Sequence, residues 1–82
     1  MDGPPSLKQR YSRRHEKLRT ILREERIAAG LTQQQLADRL KRSDNFVSYV
    51  ERGERMLNVL EFIDYATALN IDPRKLLARV MA

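Results

Sequence analysis

The middle of this 82-residue chain is organised as two short helical segments joined by a tight turn. Apolar residues recur at helical spacing over residues 32–40 and again over residues 43–52. The second segment is polar on the face that its apolar residues leave free. Two helices in this order form a helix-turn-helix, a motif whose second helix is shaped to lie in the major groove of DNA.

Helix start signals support this division and extend it along the chain. Thr32 with Gln35 has the spacing of a capping box, in which each side chain satisfies a backbone N–H group of the first turn. Asn58 with Glu61 repeats the arrangement. The dipeptide Asp72–Pro73 indicates the start of a last helix, because proline is favoured at the first helical position.

Helix stop signals are found at two glycines. Gly30 follows the first helix and Gly53 follows the third, where a left-handed residue closes a helix at little cost. Together these signals predict an all-α fold without strands. The five predicted helices span residues 12–29, 32–40, 43–52, 58–69 and 73–80.

The start of the first helix is left open by the sequence. Ser12 is one candidate for its N-cap, and an earlier capping box at Ser6 and Gln9 is the other. We expect residues 1–11 to form a flexible or partly helical basic arm, and residues 12–82 to form the helix-turn-helix domain.

The charge balance is basic. Lysine and arginine number 16 against 11 acidic residues, which gives a net charge of +5. Much of the excess lies in residues 1–26, which contain eight basic and four acidic side chains. A positive charge favours polyanionic partners such as nucleic acid, although an ordinary solvated helix face has the same appearance.

Other classes of protein are disfavoured by what the chain lacks. Without cysteine it can form neither a disulfide nor a thiolate metal site. His15 is the only histidine, and no set of catalytic or metal-binding residues accompanies it, so we expect neither an enzyme nor a cofactor. No apolar run approaches the ~18 residues of a membrane span, and the N-terminus lacks a secretory signal. A cytoplasmic protein with no membrane partner is expected.

The third helix divides into an inner and an outer face. On a helical wheel Val47 and Val50 share the inner face, whereas Arg52 points away from it with the other polar residues. Amide, hydroxyl, phenol and guanidinium groups can hydrogen-bond to base edges, but an ordinary exposed helix has a similar composition. The residues predicted to read bases are Asp44, Asn45, Ser48 and Tyr49.

Two further features belong to the first half of the motif. Gln33 and Gln34 open the second helix, where unpaired N–H groups and the helix dipole attract an anion such as a DNA phosphate. Glu51 flanks the inner face of the third helix and needs a partner. Arg26 on the first helix is the best candidate for a bidentate salt bridge.

The segment from Leu18 to Leu77 resembles the Cro/cI-type helix-turn-helix family of bacterial and phage regulators, also called the XRE family. The resemblance depends on the order and spacing of Arg26, Gly30–Gln33, Leu36–Ala37, Leu40, Ser43, Val47–Ser48, Glu51–Gly53, Ala66 and Leu69. It departs from the family at Lys41 and Arg42, where glycine and an aliphatic residue are usual. If Lys41 is left-handed, lysine in place of glycine costs up to about 1 kcal/mol of stability.

The resemblance implies a compact, lambda-repressor-like domain that binds operator DNA, commonly as a dimer on an inverted repeat. By position, Gln33 would clamp a phosphate, the four outer residues of the third helix would face bases, and Arg26 would pair with Glu51. Lys41 and Arg42 add charge near the expected path of the DNA backbone. The complete set of expected phosphate contacts is Gln33, Gln34, Lys41, Arg42, Arg52 and Arg55.

The sequence therefore predicts a sequence-specific transcriptional regulator, a repressor or autoregulator, whose partner is double-stranded DNA. The alternative is a protein-interaction adaptor or antitoxin-like partner that keeps the fold and binds another regulatory protein. A homodimer is expected because one recognition helix covers too few base pairs to find a site in a genome. Its expected interface is the C-terminal helix, with the extended start of the first helix as a further candidate. Leu77, Val80 and Met81 are assigned to it, since they exceed what a terminal helix must bury. The alternative is that these apolar residues pack on the first helix.

Overall fold

A computed structural model describes residues 12–82 of the chain, and the predicted arm at residues 1–11 lies outside this range. The all-α prediction is confirmed, and no strand occurs among the described residues. The five helices are α1 (Arg13–Ala28), α2 (Gln33–Arg39), α3 (Phe46–Glu51), α4 (Val59–Ala68) and α5 (Pro73–Met81).

The predicted start signals are present at the beginnings of four helices. The Ser12 hydroxyl accepts the His15 backbone N–H and opens α1, while the alternative start at Ser6 lies outside the described residues. Both capping boxes form, at the starts of α2 and α4. The carboxylate of Asp72 caps α5, which has proline at its first position.

The first four helices all end in the same way. After each helix one residue is left-handed, and backbone N–H groups of that residue and the next bond back to carbonyls of the last turn, as in a Schellman motif. Gly30 and Gly53 occupy the position after α1 and α3, as predicted. After α2 and α4 it is taken by Lys41, at φ 56°, and by Asn70, at φ 59°. Lys41 is therefore left-handed without the freedom of glycine.

A single core lies between the helices. Helix α1 packs against α3 and α5, α2 packs against α3, and α4 packs against α5. Apolar side chains from all five helices meet at the centre because each helix turns one apolar stripe inward. The largest fully buried side chains are Leu22, Leu36, Val47, Tyr65 and Leu76.

Two details of the prediction are wrong. Helix α3 begins at Phe46 and not at residue 43, because the Phe46 N–H bonds to the Ser43 carbonyl in a turn that precedes the helix. Val80 is not a residue left over for a partner. It is only 8% exposed, because α5 packs on α1 and turns Val80 into the core.

None of the helices in residues 12–82 combines the length and the apolar character that crossing a lipid bilayer requires.

Candidate nucleic-acid interface

The exposed face of α3 carries the residues that were predicted to read bases. Val47 and Val50 are buried on the opposite side of the helix, which fixes its rotation about its axis. Tyr49 is 41% exposed, Ser48 is half-buried, and Asp44 and Asn45 are exposed in the turn just before the helix. The four side chains thus lie on one helix and its entry turn, and their role in reading bases stays a prediction.

Helix α3 is joined to α1 and α2 through one carboxylate. Nε of Arg26 lies 2.7 Å from Oε2 of Glu51, and Nη2 of Arg26 lies 3.1 Å from Oε1. The two side chains are only 11% and 5% exposed. Arg26 also donates to the Leu31 carbonyl at 2.8 Å, so its guanidinium spans the connection between α1 and α2. The ion pair expected from the sequence is present.

Gln33 is the third member of this group. Its side-chain amide donates to Oε1 of Glu51 at 3.0 Å, from the first position of α2. The carboxylate that closes α3 therefore also orients the first residue of α2. Gln34, the next residue, is exposed, and its side chain makes no hydrogen bond to Glu51 within the part of the chain that the structure describes.

Tyr65 lies beneath the ion pair and is fully buried. Burial raises the pKa of its phenol, and the negative charge of Glu51 raises it further, while the positive charge of Arg26 opposes this. The phenol is neutral at physiological pH, so it forms part of the core and not a charged group of the surface.

A second group of charges surrounds the start of α3. The guanidinium of Arg42 lies 4.6 Å from the centre of the Phe46 ring, and that of Arg55 lies 5.4 Å from it. Both arginines also bind Glu61 on α4, with Nη2 of each at 2.5 Å and 2.6 Å from Oε2. We call these four residues the Phe46 cluster.

Glu61 is held in place by its own helix. It is the third residue of α4, and one of its oxygens accepts the Asn58 backbone N–H at 3.0 Å. This hydrogen bond lowers the pKa of Glu61 from its ordinary value of 4.5, and the Arg55 and Arg42 guanidiniums lower it further, against the opposing effect of burial. Glu61 is therefore a fixed negative charge at neutral pH.

The remaining predicted phosphate contacts differ in their surroundings. Lys41 is exposed at the end of α2. Arg52 is exposed at the end of α3, where it pairs with Glu54 at 2.9 Å and lies 5.1 Å from the Tyr49 ring. Phosphate contact stays a prediction for all six residues, which are Gln33, Gln34, Lys41, Arg42, Arg52 and Arg55.

Sequence reasoning missed the Phe46 cluster. From the sequence, Glu61 was expected only to cap its own helix. A signal was available, because the unusual Arg42 stands where an aliphatic residue is expected, and a carboxylate partner elsewhere in the chain would accommodate it. Nothing in the local sequence indicated that this partner is Glu61.

Helices α4 and α5 carry exposed apolar residues. Leu77 and Met81 on α5 are exposed, and their place in a partner interface stays a prediction. The structure adds Val59 and Leu60 on α4, which are 74% and 72% exposed and which the sequence analysis did not single out. Leu77 and Val59 line one shallow groove with the side chains of Leu18, Leu57, Phe62 and Val80.

No group of three histidine or acidic side chains in residues 12–82 is arranged to hold a metal ion. The groups described above are hydrogen-bonding and ionic in character.

A family model described as helix-turn-helix matches residues 22–76, which is well over half of the chain. A search of curated proteins finds no match.

Solved structures of two other proteins are similar to this chain over three quarters of its length or more. An XRE-family-like protein from Pseudomonas syringae pv. tomato str. DC3000 shares 40% sequence identity, with 95% of each chain covered and a TM-score of 0.82. The restriction-modification controller protein C.AhdI from Aeromonas hydrophila also shares 40% identity, with a TM-score of 0.70. That comparison covers 76% of this chain and 94% of C.AhdI.

Proposed function

The chain belongs to the XRE family of helix-turn-helix proteins, and we propose on this premise that it is a DNA-binding transcription regulator. In this proposal α3 enters the major groove of an inverted-repeat operator, and the protein acts as a repressor or autoregulator. The observation that carries the proposal is the exposed polar face of α3, which is held to α1 by the buried pair of Arg26 and Glu51 and to α2 by the hydrogen bond from Gln33 to Glu51.

Base reading is assigned to the entry turn and outer face of α3. Asn45 can make two hydrogen bonds to adenine, and Asp44 can accept one from the amino group of cytosine. Ser48 and Tyr49 follow one turn later, where a hydroxyl and a phenol can contact either a base edge or a thymine methyl group.

Phosphate contact is assigned to polar groups beside this face. Gln33 and Gln34 open α2, and Gln33 is oriented by its hydrogen bond to Glu51. Lys41 and Arg52 are exposed at the ends of α2 and α3. These contacts fix the position of the protein on DNA but carry no sequence information by themselves.

Three alanine variants test this division of roles. We expect Asn45→Ala and Tyr49→Ala to lower the preference for a selected duplex over random duplex DNA by about 1–3 kcal/mol each, because base contacts specify sequence. Gln33→Ala should weaken binding to both duplexes alike. Equal losses on both duplexes for all three variants would contradict the assignment.

We propose that the protein acts as a symmetric homodimer whose interface includes the exposed apolar residues of α4 and α5. A twofold dimer places two recognition helices about one DNA turn, ~34 Å, apart. Leu77 and Met81 lie on α5, and Val59 and Leu60 lie on α4. Val80 is not included in this interface, since it is buried in the core of its own chain.

Sedimentation at micromolar concentration tests the dimer. The double variant Leu77→Ser, Met81→Ser should shift the protein to monomer without unfolding it, because both side chains are exposed in the single chain. Lys75→Ala, at another exposed position of α5, is the matched control and should remain dimeric. An unmodified protein that is monomeric both free and on DNA would contradict the proposal.

The exposed apolar surface also supports a second candidate, an adaptor or antitoxin-like protein that binds another regulatory protein. Salt dependence separates the two functions. A DNA-binding protein loses affinity for duplex DNA steeply as salt rises, since each phosphate contact contributes about −0.9 to the logarithmic slope. An adaptor would show no appreciable binding to duplex DNA at moderate salt.

A further inference from the structure

Helix α3 does not fix its own starting position. It has only six residues, and no side chain caps its N-terminus, because Asn45 at the cap position makes no such hydrogen bond. Short helices are marginal in isolation, so contacts with the rest of the protein must determine where the first turn lies. Asp44 and Asn45 form the turn that leads into α3, so their placement depends on these contacts.

The Phe46 cluster supplies those contacts. Phe46 is the first residue of α3, and its ring lies beside two guanidiniums, one from the segment before the helix and one from the segment after it. Arg42 lies four residues before Phe46, and Arg55 lies four residues after Glu51, the last residue of α3. The segments before and after α3 therefore both contact the Phe46 ring.

Glu61 connects this point to another helix. Its carboxylate binds both guanidiniums and is itself fixed by the capping box of α4. The side chain of Glu61 is only 10% exposed, whereas those of Arg42 and Arg55 are 42% and 41% exposed. The carboxylate thus lies on the protein side of the cluster, and both arginines are directed toward it by short, charge-assisted hydrogen bonds.

The charge of the cluster also affects its contact with DNA. Two guanidiniums and one carboxylate leave a net charge of +1, and a phosphate must compete with Glu61 for either arginine. Arg55 holds the Glu61 carboxylate through two N–H groups and Arg42 holds it through one, while both guanidiniums lie against the Phe46 ring. A planar guanidinium can make both kinds of contact at once, which an ammonium group cannot do, so the cluster favours arginine over lysine at both positions.

We propose that Arg42, Arg55 and Glu61 are positioning residues, which act through Phe46 to place Asp44 and Asn45 against the bases. Their main effect is on sequence preference, and this inference replaces the prediction that Arg42 and Arg55 contact phosphate. This inference depends on the proposed DNA-binding function. Base reading demands side-chain placement within about 0.5 Å, so a small shift of Phe46 is enough to reduce it.

The test uses lysine substitutions, which keep the charge but lose the planar, two-pronged geometry. Affinity is measured for a duplex selected by the unmodified protein and for random duplex DNA, over a series of salt concentrations. For Arg42→Lys and Arg55→Lys we expect the preference for the selected duplex to fall about tenfold. The salt slope, which is the slope of the logarithm of affinity against the logarithm of salt concentration, should not change on random DNA. Glu61→Gln should reduce the preference in the same way.

Lys41→Gln is the matched control, because Lys41 is exposed and lies outside the cluster. This variant should reduce the steepness of the salt dependence by about 0.9 and leave the preference for the selected duplex unchanged. All variants are assayed well below their melting temperatures, so a loss of overall stability does not affect the comparison. The lysine variants also keep the packing of the aliphatic side-chain stem, which alanine variants would lose.

The inference is contradicted if the lysine variants keep the full sequence preference while Arg42→Gln and Arg55→Gln each lower the salt slope by about 0.9. That result would make both arginines phosphate contacts. If the unmodified protein itself shows no preference for any duplex, the proposed function fails and the inference fails with it. The two failures are therefore distinguishable in one set of measurements.

Discussion

Glu51 is the residue at which the two helices of the motif are joined. It accepts two hydrogen bonds from Arg26 and one from Gln33, and it is nearly buried. A carboxylate in this position is stable only because its partners neutralise it and satisfy its oxygens. Removing one partner leaves the other charge buried and unpaired.

We expect Arg26→Ala and Glu51→Ala each to lower the free energy of unfolding by about 3–5 kcal/mol, which is most of the stability of a small domain. Thermal melts provide the measurement. Arg79→Ala is the control, since Arg79 forms an exposed ion pair with Glu25 and its loss should cost less than about 1 kcal/mol. Melting of both buried-pair variants within two degrees of the unmodified protein would show that the pair adds no stability.

Glu61 makes stability depend on pH. Its pKa is lowered in the folded protein, chiefly by the Asn58 backbone N–H and then by Arg55 and Arg42, so its ionised form stabilises the fold. This contribution is complete above the ordinary value of 4.5 and is lost as the pH falls through the lower pKa of the folded state.

The stability advantage of the unmodified protein over Glu61→Gln should therefore be largest near pH 7 and should shrink below pH 4.5. Urea unfolding of both proteins between pH 7 and pH 3 measures it. An advantage that is the same at every pH would contradict the lowered pKa.

At the scale of the helices, the first four helices share one backbone geometry at their C-terminal ends, in which a left-handed residue follows the helix. The residue type at this position differs. Lys41 is the costly case, because its left-handed conformation brings Cβ close to the neighbouring carbonyl. Asn70 has nearly the same φ angle, but asparagine tolerates it more readily.

Lys41→Gly should therefore raise the free energy of unfolding by roughly 0.5 to 1 kcal/mol, after allowance for the greater freedom of glycine in the unfolded chain. The melting temperature should rise by a few degrees. Asn70→Gly is the matched control and should give a smaller gain. A Lys41→Gly protein that melts at or below the temperature of the unmodified protein would contradict the strain at this turn.

The helix ends were predictable because their signals are local. Thr32, Asn58 and Asp72 act on backbone groups within three residues, and Gly30 closes its helix through its own conformation. The start of α3 was predicted wrongly because no side chain marks it. The nearest local candidate, Ser43, contributes its backbone carbonyl to a preceding turn.

Contacts between helices were predictable only where few partners were available. The pair of Arg26 and Glu51 was expected because a carboxylate beside the inner face of α3 needs a cation on a neighbouring helix. The Phe46 cluster joins residues 19 positions apart, from Arg42 to Glu61, through a fold that local spacing does not specify. Val80 was misassigned because its burial depends on how α5 packs against α1.

At the scale of the whole molecule, two surfaces have different chemistry. The outer face of α3 is polar and is bordered by exposed basic residues, whereas α4 and α5 expose the apolar side chains of Val59, Leu60, Leu77 and Met81. This separation suits a protein that binds DNA with one surface and a second copy with another. A twofold arrangement of two such domains would read two half-sites of opposite direction.

Selection of duplexes from a random library by the unmodified protein tests the central claim most directly, because it requires both base reading by α3 and pairing of two copies. We predict enrichment of an inverted repeat whose half-sites are centred about one helical turn, ~34 Å, apart. Retention of duplexes without any common sequence would contradict the proposal that α3 reads DNA bases.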